Sequence, residues 1–297
     1  MTQLVWNGLF VGAFYSLVAL GYSLVYGVIR LLNFAHGDVY MLGAFCGMWL
    51  LSSLGGIAPA FPPLVLLLVL VAAMLLSGLA GVAIERVAYR PLRSAPRLSV
   101  LITAVGAAFT LEYGVRIISG PNPEVYPLRL DGRGLSLFGA RFTVQQLMLL
   151  AVALALMAGL DTWVSRSREG RAMRAIALDR KAAVLMGIDV DRVIAKVFFV
   201  GSALAGAAGV MAGVFYGKID FLMGFAIGLK AFTAAVIGGI GDVKGTMLGG
   251  LVLGLLEAFG SHWLGGEWRD VFTFGFLIVL LSVRPMGLLG VRERERA

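Results

Sequence analysis

The sequence predicts an all-α, polytopic membrane protein of about eight or nine transmembrane or re-entrant helices, and three observations predict it. Of 297 residues, 59% are hydrophobic and only 14% charged, whereas water-soluble domains carry roughly 25% charge and about 45–50% apolar residues. The mean hydropathy is +0.90. The apolar residues gather in runs long enough to cross a bilayer, which takes about 17–25 residues, and the basic residues gather between those runs.

The runs lie near 4–29, 39–54, 64–84, 99–118, 144–164, 194–216, 221–240, 246–264 and 271–283. The first follows "MTQ", with no basic leader and no small-residue cleavage site, so it is expected to be a retained span and not a signal peptide. The second and the last are short, as half-helices or re-entrant pieces would be. The forty glycines suit packed membrane helices: in "LAGAAGVMAG", Gly206, Gly209 and Gly213 recur at spacings that let backbones approach closely.

Orientation follows from lysine and arginine bias. Residues 85–97 carry four arginines, 165–192 are more basic still, and the tail "RPMGLLGVRERERA" adds four more. Facing all three inward puts the N-terminus outside and the C-terminus in the cytoplasm. Residues 119–142 then form an external cap, stiffened first by Pro121, Pro123 and Pro127 and loosened later by Gly132 and Gly134.

Between the first two runs, "LLNFAHGDVYMLG" places Asn33, His36, Gly37 and Asp38 in an otherwise apolar stretch. One reading is a turn, with Asp38 capping a helix that starts at Val39. The other is a helix break inside the membrane that lines the path, tolerated only where protein or a water-filled path covers it. "GDVYMLGAF" at 37–45 echoes "GDVKGTMLGGL" at 241–251, the hint of an internal repeat.

Charges within the runs are few. Glu112 and Arg116 lie four apart and can pair on one helix face, or one of them can touch a solute. Lys230 lies 13 residues before Val243 and Glu257 14 after it. In an antiparallel hairpin both stand about 20 Å from the turn at about 1.5 Å per residue, which predicts a neutralising contact. Separate snorkelling to water is the competing reading.

Enzymatic motifs are missing. The chain has no phosphate-binding loop, nucleophile elbow, zinc pair or CxxC. One cysteine (Cys46) and two histidines (His36, His262) predict no metal site and no cofactor. The net charge of +8 reflects loop placement and no nucleic-acid partner. The basic loop 165–192 has helical periodicity, with Met173, Ile176 and Ala177 interleaved with charges. A solvated connector and a docking element for a soluble partner both satisfy that pattern.

"YSLVALGYSLVYGVIRLLNFAHGDVYMLGAF" resembles the opening of the permease subunit of branched-chain amino-acid ABC importers. "EGRAMRAIALDRKAAVLMGIDVDRVIAKVFFVGSALAGAAGVMAG" is similar to that family's cytoplasmic loop and next helix. "GLKAFTAAVIGGIGDVKGTMLGGLVLGLLEAFG" and "RPMGLLG" resemble its C-terminal half. The resemblance spans nearly the whole chain. It implies one transmembrane permease domain, 1–297, in the bacterial inner membrane and in contact with membrane lipid. It further implies a second homologous permease subunit, two cytoplasmic ATP-binding subunits that hydrolyse ATP, and a periplasmic solute-binding protein. Within 165–192 it implies a coupling helix, and Glu169, Gly170, Arg171, Arg174, Asp179, Ala182, Ala183 and Gly187 are expected to meet the ATPase. The alternatives are an ion-coupled carrier, kept open by Glu112 and Glu257, and a channel for a small polar solute, since hydrophobic hairpins of this kind can line pores.

Overall fold

Each of the nine apolar runs folds as a helix, and no proline lies inside any of them. The computed structural model describes all residues except 55–61, 94, 129–133, 138–139, 285–286 and 290–297. In order, the helices are α1 (Thr2–Ile29), α2 (His36–Ser53), α3 (Pro62–Ile84), α4 (Arg97–Ser119), α5 (Val144–Arg166), α6 (Arg168–Leu178), α7 (Arg180–Leu185), α8 (Val190–Tyr216), α9 (Met223–Gly238), α10 (Val243–Leu264) and α11 (Arg269–Val283). The helical path of α3 continues through a π turn at Glu85–Tyr89 and a 3-10 turn at Arg90–Leu92.

The start signals are explicit. Thr143 and Gln146 exchange hydrogen bonds in a capping box that opens α5. Asp189 caps α8 by accepting from the Arg192 amide, and Asp242 caps α10 by accepting from the Gly245 amide. Among the described residues, six helices are long and apolar enough to cross a membrane: Thr2–Ile29, Pro63–Leu92, Leu98–Ser119, Val144–Arg166, Val190–Tyr216 and Val243–Leu264. The α9 run predicted over 221–240 is shorter as a helix, 16 residues, because Leu222 is its cap and Gly239, at a φ of 104°, ends it.

Small residues set the packing. Down the α1–α10 seam, methyl groups at Gly8 and Gly12 would strike the backbone at Gly250, Leu251, Gly254 and Leu255. Ser16 Oγ lies 2.8 Å from both the Gly12 and the Met247 carbonyl oxygens. The α3–α8 seam is built alike, with Ser77 against Gly206 and Gly81 against Ser202. As expected, Gly206, Gly209 and Gly213 are contact points, meeting Ser77, the Tyr40 carbonyl and the Tyr126 ring.

Two trios of helices, α1–α2–α3 and α8–α9–α10, repeat one geometry. Both first helices end on a left-handed residue, Arg30 and Gly217. In both, six residues later, a second helix opens on an uncharged αR cap, Ala35 or Leu222. The His36 amide donates to the Asn33 carbonyl, and the Met223 amide to the Asp220 carbonyl. Every pair is offset by the same 187 positions (30 to 217, 33 to 220, 36 to 223). The first helix of each trio packs on the third of the other. Phe14 meets Phe215 at 5.6 Å and Gly21 meets Gly201, so α1 and α8 cross in opposite directions.

This geometry corrects two expectations. The repeat does not match 37–45 with 241–251: Asp242 caps α10 from outside it, whereas Asp38 sits inside the first turn of α2. Nor does a helix start at Val39 with Asp38 as its cap. It starts at His36, and no side chain caps it, because the tertiary contacts of Gly37 and Asp38 with Gly224 fix that turn instead.

Of the 119–142 segment, Glu124–Val125 (β1) pairs antiparallel with Lys218–Ile219 (β4). Leu135–Leu137 (β2) and Ala140–Phe142 (β3) form a hairpin. Tyr126 is fully buried and wedged between Gly47 and Gly213, which orders the proline-bearing half. Gly132 and the arginines of the tail beyond Gly290 lie outside the described residues.

Candidate functional site

The break between α1 and α2 is a built structure and not a surface turn. His36 Nε2 lies 3.1 Å from the Val18 carbonyl, so that nitrogen carries the proton and donates. Its ring meets Tyr22 edge-on at 4.8 Å, and a methyl at Gly21 would collide with it. Val18 lies 11 residues before the end of α1, roughly 16 Å along the axis at about 1.5 Å per residue. Residues 30–35 therefore run back into the protein, and α2 begins near mid-depth.

The four polar residues of this break have different settings. Asn33, 2% exposed, accepts from Tyr89 Oη at 3.0 Å, while its Nδ2 has no protein partner. Gly37 lies against Gly224 and Gly228 of α9, where a side chain would strike the backbone of both. Asp38 is buried with Oδ1 unpartnered and lies against Gly224 at the start of α9. Among the described residues no three His, Cys, Asp or Glu side chains converge as metal ligands.

The predicted contact between Lys230 and Glu257 is present, with Nζ 2.9 Å from Oε1. It belongs to a larger group. Lys230 also reaches Asp270 Oδ1 at 2.7 Å, and Glu257 pairs with Arg269. Arg269 in turn donates to Tyr15 Oη at 3.3 Å. One hairpin depth argument found the first pair; Arg269 and Asp270 were missed because they precede the last apolar run and belong to no hairpin register. The adjacent "RD" at the mouth of that run was the available signal.

The expected Glu112–Arg116 pair is not formed. Arg116 lies over the rings of Tyr113 (5.7 Å) and Phe221 (5.4 Å), while Glu112 is buried. Cation–π contact keeps the guanidinium at the surface with no carboxylate.

In the basic loop, the amphipathic α6 buries Met173 and Ile176, and most of the predicted docking residues work inside the chain. Glu169 pairs with Lys196. Gly170 packs on the Val164 carbonyl, where no side chain fits. Arg174 donates to the same carbonyl at 2.7 Å. Asp179 caps α7 through the Lys181 and Ala182 amides. Ala183 is buried, and Gly187 takes a left-handed φ of 79°. Arg171 and Ala182 line a cleft of about 530 Å³ with Ala175 and Met186.

What protrudes was missed: Leu178 is 88% exposed, Leu185 87% and Met186 81%. Behind this element, Arg93 bonds both Glu85 and Asp191, and Arg90 joins Asp191. These pairs tie the end of α3 to the start of α8.

Residues 4–281 match the family model described as "Branched-chain amino acid transport system / permease component". The chain is 43% identical to the high-affinity branched-chain amino acid transport system permease protein BraD of Pseudomonas aeruginosa, over 100% of this chain and 97% of the relative. It is 42% identical to the permease protein LivH of Escherichia coli K12, over 99% of this chain and 97% of the relative. In fold it is similar to a chain assigned to a metal-chelate type ABC transporter in an inward-facing conformation, with a TM-score of 0.50 and 16% identity. That match covers 95% of this chain and 85% of the other.

Proposed function

The chain belongs to the family of permease components of branched-chain amino acid transport systems, and from that premise we propose how its parts divide the work of an ATP-driven importer. It is a multi-pass membrane subunit that supplies half of the translocation path for leucine, isoleucine, valine or a related small amino acid. Its partners are a second homologous permease subunit, two cytoplasmic ATP-binding subunits and a periplasmic binding protein that delivers the solute. It acts in the bacterial inner membrane, with the N-terminus outside, the C-terminus in the cytoplasm and eight to nine crossing or re-entrant helices. ATP is hydrolysed by the partner subunits.

The observation that carries this reading is the α6–α7 element. Polar contacts within the chain hold it rigid, and it presents Leu178, Leu185 and Met186 outward beside an open cleft. Exposed leucines on a basic, ordered helix pair call for a protein cover. We assign that cover to the ATP-binding subunit. Arg171 and Ala182 meet it directly, while Glu169, Gly170, Arg174, Asp179, Ala183 and Gly187 position the element. At the other end of the mechanism, Asn33, His36, Gly37 and Asp38 form the helix break that shapes the path. Lys230 and Glu257 clasp α9 to α10 and α11.

Crosslinking tests the docking assignment. The only native cysteine, Cys46, is buried, so Leu185→Cys gives one reactive thiol. In the assembled importer it should crosslink to the ATP-binding subunit, and ATP should change the yield. A crosslink to the binding protein instead would reverse the orientation and overturn the assignment.

A further inference from the structure

One stretch of chain, residues 85–93, touches the start of α8 on one side and the helix break on the other. The α6–α7 element is fastened to that start of α8. Glu169 of α6 pairs with Lys196 of α8, and the Ile188 amide donates to the Ala183 carbonyl of α7 at 3.1 Å. Asp191, in the first turn of α8, is bonded in turn by both Arg90 and Arg93. Arg93 uses one terminal nitrogen for Asp191 and the other for Glu85.

Tyr89 stands in the same stretch and reaches the break. Its ring lies 5.3 Å from that of Phe198 of α8. Its hydroxyl donates to Asn33 Oδ1 at 3.0 Å and stands 3.2 Å from the Leu32 carbonyl oxygen. Leu32 and Asn33 belong to the segment that leads into α2. From Glu85 to Tyr89 the chain forms a π turn, a departure from the α ladder that recurs at functional positions within helices.

Burial makes this joint stiff. The side chains of Arg93 and Glu85 are 10% and 2% exposed, and parting them leaves a charge buried and uncompensated. A displacement of the start of α8 therefore carries residues 85–93 with it and, through Tyr89, the entry to the break.

We propose that Arg93 is a positioning residue for transport: it makes the helix break follow the α6–α7 element, so that ATP hydrolysis moves solute. The proposal rests on the assignment of that element to the ATP-binding subunit.

The assembled importer in vesicles, given ATP, binding protein and radiolabelled leucine, tests it through the leucine moved per ATP hydrolysed. Arg93→Gln should retain the ATP-binding subunits and go on hydrolysing ATP, while leucine per ATP falls about 2- to 30-fold. The Asp191 side chain is 41% exposed, so Asp191→Asn covers the case in which the Gln variant misfolds, and it should lower the same ratio. Combining the two should lower it no further, since both remove one link. Arg192→Gln removes an exposed pair with Asp189 outside that link and should leave the ratio unchanged. An unchanged ratio in Arg93→Gln or Asp191→Asn overturns the proposal, as does loss of hydrolysis together with uptake in Asp191→Asn. The docking assignment fails on a separate result: if Leu185→Asp still retains the ATP-binding subunit, that assignment falls and the role of Arg93 falls with it.

Discussion

Gly37 and Gly224 stand 187 positions apart in the chain and against each other in the fold, each at the second position of a helix that begins inside the protein. The segments leading to them, "NFAHG" and "DFLMG", re-enter from opposite ends. At this meeting point the two helix trios touch, and an added methyl at Gly37 strikes the main chain of Gly224 and Gly228 while one at Gly224 strikes the main chain of Gly37 and Asp38 as well as the Asp38 carboxylate.

Gly37→Ala and Gly224→Ala should therefore each destabilise the protein by about 1–3 kcal/mol, the usual cost of overpacking. Because the two sites touch, their effects should not add. Thermal unfolding of the single and double variants in detergent measures both points. Additive, near-zero shifts would mean that the two helix starts are not in contact.

The charge clasp predicts an order of costs. Removing the buried Glu257 side chain with Glu257→Leu leaves Lys230 without its buried partner and should cost about 3–5 kcal/mol. Asp270 is 64% exposed on its side chain, so Asp270→Asn should cost under about 1 kcal/mol. Equal losses in chemical denaturation would show that burial does not govern this group.

Tyr89 is buried and donates to Asn33. Tyr89→Phe keeps the ring and removes the hydroxyl, leaving Asn33 Oδ1 without its donor. The expected loss is about 1–3 kcal/mol, with faster proteolysis of the 30–35 segment as its local signature. Unchanged cleavage would place the ordering of that segment elsewhere.

Leu185→Asp should leave the unfolding temperature of the isolated subunit unchanged, since the side chain touches solvent. Co-purification with the ATP-binding subunit should fall at least about tenfold, because a charge is then buried without a partner at the contact. A destabilised but still associating variant would move Leu185 from the interface to the core.

The helices were legible in the sequence because apolar runs, capping residues and proline-free stretches act locally. Lys230 and Glu257 were legible because a hairpin converts spacing into depth. The start of α2 inside the protein was not, because it depends on Val18, Gly21 and Gly224, all remote in sequence from His36 and Asp38. The repeat was hidden for the same reason: its two copies share dihedral angles and hydrogen bonds but few residues, Phe34 with Phe221 and Gly37 with Gly224 among them. At α6 the charged residues drew attention, yet Glu169 and Arg174 are held by Lys196 and Val164. The side chains left outside are apolar, and sequence periodicity alone does not say which apolar face a distant element will cover.

Solute uptake into vesicles tests the central claim most directly. Vesicles containing this chain, its homologous permease partner and the ATP-binding subunits should accumulate radiolabelled leucine only when ATP and the binding protein are both supplied. Accumulation by this chain alone, driven by an imposed proton or sodium gradient without ATP, would contradict the account.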